Sequence, residues 1–104
     1  MSNKRLAQIE ERIAKIKTEL AAIEEMRPGS LTRQYKDPER QSGPYYQLSY
    51  TREMRSRTEY VPRERVRDVR RQIASYKRFK ALTAQWIALS IERCRLKMKL
   101  AREL

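Results

Sequence analysis

The side chains able to do chemistry in this sequence are overwhelmingly cationic. Arg63, Arg65, Arg67, Arg70, Arg71, Lys77, Arg78 and Lys80 crowd into one stretch, opposed only by Glu64 and Asp68. Guanidinium and ammonium groups at that density neutralise phosphates and release their counterions, so association with a polyanion is steeply salt-dependent. The whole chain carries 25 Lys and Arg against 13 Asp and Glu, a net charge of +12, and residues 62–104 hold thirteen of the basic groups and only four of the acidic ones. A field of this strength on a body of 12.5 kDa draws nucleic acid first, an anionic membrane surface second and an acidic protein third. With no His the charge is nearly constant across physiological pH, and an imidazole switch is excluded.

Other chemistries find little material. Cys94 stands alone, so neither an intrachain disulfide nor a Cys-rich zinc site is expected. There is no phosphate-cradling glycine loop, and Asp37, Glu39, Glu53 and Glu59 are scattered beside arginines rather than paired in apolar surroundings. The expectation is a non-enzyme with no catalytic residues, metal, cofactor or small-molecule substrate. No apolar run approaches the roughly 18 residues that cross a bilayer, and the opening Met1-Ser2-Asn3-Lys4-Arg5 lacks a signal-peptide core. A cytoplasmic, reducing location is the default expectation.

The elements that must position the arginines follow from periodicity. Leu6, Ile9, Ile13, Ile16, Leu20 and Ile23 alternate at three and four residues, which predicts a helix with a coiled-coil seam over residues 4–26. Ser2 or Asn3 is placed to cap it, Glu11 precedes Lys15 by one turn, and Pro28-Gly29 ends it. All four prolines, both glycines and five of the six tyrosines fall between Met26 and Pro62. Within that region, spanning residues 30–61, Leu31–Lys36, Tyr45–Tyr50 and Arg55–Val61 read as short strands, Lys36–Pro44 as a loop and Thr51–Met54 as a hairpin connection. Pro62 suits the first turn of a helix, and no further Pro or Gly interrupts the chain, so a long basic helix is predicted over residues 62–102. It would be about 60 Å long.

The predicted fold is therefore α+β, a single domain over residues 1–104. Its N-terminal helix and long C-terminal helix form an antiparallel coiled-coil-like hairpin, with a small two- to three-stranded antiparallel sheet between them. Val66, Val69, Ile73 and Tyr76 start an apolar stripe that continues through Phe79, Leu82, Trp86, Leu89, Leu96 and Leu100, broken at Arg93. A second row runs beside it through Ile87, Ile91, Cys94, Met98 and Ala101. One shorter helix does not cover both rows. Trp86, Ile87, Leu89, Ile91 and Met98 are thus expected at an interface, in a homodimer or against a larger protein, with Trp86 a packing residue rather than a base-stacking platform.

Period-two alternation sorts Tyr46, Leu48 and Tyr50 to an apolar strand face and Tyr45, Gln47 and Ser49 to a polar one. Arg55 and Arg57 project together from the third strand, and Arg33 lies between Leu31 and Tyr35 on the first. Were these polar faces to coincide, Arg33, Tyr45, Gln47, Ser49, Arg55 and Arg57 would form one surface able to read base edges in a groove, while Arg63, Arg67, Arg70, Arg71, Lys77, Arg78 and Lys80 held phosphates.

The segments Pro28-Gly29-Ser30-Leu31, Gly43-Pro44-Tyr45-Tyr46-Gln47-Leu48-Ser49 and Tyr60-Val61-Pro62, followed by a basic helix, resemble a family of short uncharacterised prokaryotic proteins frequently encoded beside transposases. The resemblance covers roughly residues 26–80. Many relatives carry a cysteine cluster where this chain reads Lys36-Asp37-Pro38-Glu39-Arg40-Gln41-Ser42, so no metal is carried over. What the resemblance implies is a DNA-associated role near mobile elements, which favours DNA over RNA; it supplies no binding residues. The expected function is a nucleic-acid-binding accessory protein. The alternative is a structural or adaptor subunit whose helices dock on a larger assembly.

Overall fold

The apolar periodicities build two separate cores. The computed structural model describes residues 2–104, Ser2 by its backbone alone. It contains helix α1 (Ser2–Ala21), strands β1 (Ser30–Asp37), β2 (Ser42–Arg52) and β3 (Arg55–Val61), a single 3-10 turn (Arg63–Arg65) and helix α2 (Val66–Glu103). The α+β architecture is the expected one. Packing groups the chain into two compact units, one of α1 and its extension to Glu24 with Arg78–Leu104, the other of Glu25–Lys77.

In the helical unit, Ile9, Ile13, Ile16 and Leu82 are buried, as the three-four spacing requires. The two helical segments run antiparallel, because partner numbers fall as α1 advances: Arg5 pairs with Glu92, Arg12 with Gln85 and Glu19 with Arg78. The Arg5 pair is bidentate, with Nε and Nη2 donating to the two carboxylate oxygens at 2.6 and 2.8 Å. That hydrogen bonding holds the Glu92 carboxyl below its ordinary range. Trp86 is half-buried and carries the Lys17 ammonium over its ring, 5.3 Å from the centroid.

Helix α1 stops at Ala21, short of the predicted Met26. The Ala22 N–H is shared between the carbonyls of Thr18 and Glu19, and the Ile23 N–H donates to Leu20 at 3.1 Å, so the last turn tightens and closes. Continuing it would set Glu24 and Glu25 at the negative end of the helix dipole. Asn3 lies inside the first turn, and a cap by the Ser2 side chain falls outside the described residues.

The second unit is a meander in the order β1-β2-β3, antiparallel throughout, on which the first turns of α2 pack. Its core is Leu48, Val61, Val69 and Ile73, flanked by Leu31, Tyr46, Tyr50 and Val66. The strands are longer than the sequence predicts, because the Lys36–Pro44 loop contracts to a turn in which the Asp37 carboxylate accepts the Arg40 N–H. Pro44 is tolerated inside β2 because pairing with β3 begins only at Tyr46, leaving that stretch with one neighbour. Pro62 stands ahead of the helix rather than within its first turn. Its ψ of 146° is extended, and its carbonyl accepts the Arg65 N–H at 2.9 Å to open the 3-10 turn.

Positive φ occurs at Gln41 (52°) in the β1–β2 turn, at Gly43 (67°) at the start of β2, and at Glu53, Met54 and Gly29. The β2–β3 connection is a two-residue turn with positive φ at both Glu53 (53°) and Met54 (64°), the sign pattern of a type I′ turn that Asn-Gly fits without strain. Each L residue so placed costs about 1–3 kcal/mol. Gly29, at φ 135°, passes so close to β2 that an added Cβ would lie 2.6 Å from Leu48 Cδ1. Gly29→Ala should therefore lower stability by about 1–3 kcal/mol, read as a fall in the urea midpoint at unchanged slope.

Candidate nucleic-acid interface

The two flanks of the first turns of α2 are used differently. On one flank the carboxylates of Asp68, Glu25 and Glu59 are engaged. Asp68 accepts Arg71 Nη2 at 2.9 Å and lies 3.5 Å from Arg65 Nη1. The segment entering β1 is tied to the same flank: the Arg27 N–H donates to the Gln72 carbonyl at 3.2 Å, and Gln72 Nε2 donates to Glu25 at 3.2 Å. Arg27 Nη2 reaches Glu59 on β3 at 2.7 Å, where the Tyr50 hydroxyl donates to the other oxygen at 2.9 Å. The Arg27 guanidinium also sits 5.8 Å from the Tyr50 ring centroid. These contacts, Arg27 foremost, hold the Glu59 carboxyl below its ordinary range.

The other flank presents cations without acids. Arg63, Arg67 and Arg70 recur at four and three residues, so they share one side of the helical segment, and with Tyr46 and Val66 they line a shallow open cleft. All three arginines are exposed, and none has an ion-pair or hydrogen-bond partner among the described residues. Lys77 continues the same stripe two turns beyond Arg70 and is likewise unpaired there. The stripe is therefore a row of available donors beside an aromatic ring.

Strand register then separates the predicted sheet residues. Arg33 lies directly across from Tyr46, Arg57 from Tyr50 and Arg55 from Arg52, so all three arginines share the face of Leu48 and Val61. Tyr45 and Gln47 point to the opposite face, in company with Thr32, Gln34, Ser49, Thr58 and Tyr60. The two predicted polar sets do not coincide. The correction has a plain cause: the set Arg55, Arg57 and Glu59 is in phase with buried Val61, and Arg33 with buried-side Leu31, so docking those apolar residues carries the arginines to the helix-packed face. Arg33 is brought beside the Tyr46 cleft, its guanidinium 5.4 Å from the Tyr35 ring centroid. The outer face is left nearly uncharged, a field of hydroxyls and amides.

Of the remaining predicted phosphate contacts, Arg71 is paired with Asp68, Arg78 lies 3.7 Å from Glu19 in the helical unit, and Lys80 also interacts with a neighbour. In that unit the interface residues divide. Trp86 and Leu89 are half-buried, whereas Ile87 (62% exposed), Ile91 and Met98 form an open row with Cys94 and Ala101. Sequence reasoning missed the Arg27–Glu59–Tyr50 cluster and the place of Tyr46 in the cleft. Their partners are distant along the chain, and no local pattern marks them. Among the described residues no group of three or more His, Cys, Asp or Glu is placed to hold a metal ion, and no helix is long and apolar enough to cross a membrane.

The fold and site define a basic α+β protein in which a three-stranded meander carries an arginine-rich helical segment. The chain belongs to the family of a domain of unknown function, DUF6788, whose model matches residues 4–71. That span takes in α1 from Lys4 onward, the whole sheet and the arginine stripe through Arg70. No curated protein and no solved structure gives a significant match.

Because the folded-state pKa of Glu59 is depressed, its contribution to stability is fully present above the ordinary carboxylate pKa and is lost as pH falls through the folded value. Glu59→Gln should cost about 0.5–1 kcal/mol at neutral pH, a small figure because the pair is solvent-screened. It should also flatten the loss of stability below about pH 5. Urea midpoints of both proteins at neutral and acid pH test this.

Proposed function

We propose that this chain is a non-enzymatic nucleic-acid-binding accessory protein that holds the phosphates of duplex DNA along the Arg63–Arg67–Arg70–Lys77 stripe. The observation that carries the reading is the asymmetry of α2. The Asp68 carboxylate is shared by Arg65 and Arg71 on one flank, while the other keeps three exposed arginines without partners around Tyr46. An unpaired cationic row has a partner only when a polyanion arrives, and each phosphate neutralised releases condensed counterions. Arg33, across from Tyr46, extends the same positive field. DNA is favoured over RNA, in association with mobile elements, by the resemblance to proteins encoded beside transposases.

The exposed row Ile87, Ile91, Cys94, Met98 and Ala101 supports a second element of the proposal, a homodimer. Its four-three spacing is that of a coiled-coil seam, and a helix row of this kind is self-complementary about a two-fold axis. An adaptor role, with this row docked on a larger assembly, is the alternative; it places the principal partner contact here rather than on the arginines.

Two measurements separate these readings. Replacing Arg63, Arg67 and Arg70 together with Gln should weaken duplex binding at every sequence and reduce the slope of log K against log salt by about 0.9 for each phosphate no longer neutralised. The same change at Arg65 and Arg71 should have much less effect, and equal effects would count against the stripe. For the dimer, Ile87→Ser with Ile91→Ser should halve the mass seen by light scattering and leave the monomer folded by circular dichroism. An unchanged mass rejects the seam.

A further inference from the structure

The tip of the β2–β3 hairpin breaks three local rules within four residues. Glu53 and Met54 both adopt positive φ where glycine or asparagine would relax the turn. Arg52 and Arg55 stand directly across from one another in the last pair of the ladder, like charges in the position where they repel most. Met54 is 98% exposed, the most exposed large apolar side chain of the sheet unit. Residues that oppose their own local structure in this way collect where a partner supplies what the folded chain does not. Every residue from Thr51 to Tyr60 is exposed, so this end of the hairpin is an open ribbon.

We infer that this tip is a wedge for the minor groove of duplex DNA, with Met54 entering between adjacent base pairs and Arg52 and Arg55 together holding a backbone phosphate beside it. The inference rests on the proposed DNA-binding function and adds a deformation to it. Apolar wedges of Met, Leu, Phe or Pro unstack a base step and kink the duplex toward the major groove. A methionine suits the task because its unbranched thioether adapts to an irregular slot. The charges decide the class of partner. A phosphate lying between Arg52 and Arg55 converts their mutual repulsion into two charge-assisted hydrogen bonds, and duplex DNA presents one negative charge per roughly 1.7 Å of axis. Glu53, the single acid of the tip, lies 4.0 Å from Arg52 and only partly screens that repulsion in the free protein. A bilayer surface offers anions too, yet one methionine buries too little apolar area to anchor a protein there. A two-residue turn is also the narrowest end that a β-ribbon can have, suited to a groove about 6 Å wide before it opens.

The test is end-to-end energy transfer on a doubly labelled duplex of about 30 base pairs with a flexible TA step at its centre, which a smooth elastic rod of that length holds nearly straight. The intact protein should shorten the end-to-end distance by an amount corresponding to a kink of about 20–90°. Met54→Gly is the decisive variant, because glycine relaxes the positive φ and stabilises the hairpin while removing the wedge. It should bind with an affinity lowered by less than about tenfold, since phosphates carry most of the affinity, and should leave the duplex straight. Met54→Ser should behave likewise. Arg52→Gln with Arg55→Gln should reduce both binding and bending. Binding by the intact protein without a bend, or a bend that survives Met54→Gly, overturns the wedge and leaves the arginine stripe standing. Failure of the intact protein to bind the duplex at all overturns both. Met54-dependent binding to vesicles of anionic phospholipid, with no effect on the duplex, assigns the tip to a lipid surface and likewise overturns the wedge.

Discussion

Burial of Leu48 against Val61, Val69 and Ile73 is the contact on which the rest of the sheet unit depends. Leu48 is fully enclosed, and its neighbours across the strands are Leu31 and Glu59, with Val61 opposite Tyr46. In a strand the side-chain period is two, so seating one residue in the core assigns every other residue of the ladder to a face. The same contact orients the first turns of α2. With Val69 and Ile73 inward, Arg65, Asp68 and Arg71 are turned toward one flank, and Arg63, Arg67 and Arg70 toward the other. A hydrophobic contact thereby decides which arginines meet carboxylates.

The electrostatic consequence is a division of labour among cations. In a chain of net charge +12, self-repulsion works against the compact state. Several acids are placed where they hold elements together: Glu59 ties Arg27 of the entering segment to β3, Glu25 ties that segment to Gln72 of α2, and Glu92 clasps Arg5 between antiparallel helical segments. Each such exposed pair is screened by solvent and adds little to stability by itself. Their larger effect is by default, since carboxylates committed there do not neutralise Arg63, Arg67, Arg70 or Lys77. The free stripe is the remainder of that placement.

The hairpin tip and the open row on α2 are exceptions to an otherwise consistent fold. Apart from Gln41, whose φ of 52° is also positive, local preference and packing elsewhere agree: the α1 isoleucines are buried, Gly29 stands where a side chain would collide with Leu48, and Pro44 sits where β2 has one neighbour. At Arg52–Arg55 the turn, the charges and the exposed methionine all run against the folded chain. At Ile87, Ile91 and Met98 apolar groups are left in water. Such departures in a small protein with a thin core mark surfaces whose shape answers to something other than the chain's own stability.

Local patterns were sufficient for the elements and for much of the packing. The three-four spacing of Leu6 through Ile23 specified α1 and its buried face, although not its end, because Gln72 and Glu25 meet only after the chain has folded back. Alternation in Tyr45–Tyr50 was enough to tell that Leu48 faces the core with Tyr46 and Tyr50. Composition alone located the positive charge. Which of those charges are free was decided by tertiary structure, for pairing depends on distance in space, and Arg27, Glu59 and Gln72 are separated by stretches no periodicity links. The grouping of sheet residues was decided there too: each strand's alternation was legible, but the relative phase of three strands is set by cross-strand register. Docking Leu31 and Val61 in phase with Leu48 sends Arg33, Arg55 and Arg57 to one face and Tyr45 and Gln47 to the other. The amino-acid sequence by itself determined the elements, the α1 seam and the location of the charge, since each follows from neighbours within a turn or a strand. Only the tertiary structure decided which cations stand unpaired together, because that follows from packing residues far apart in the chain.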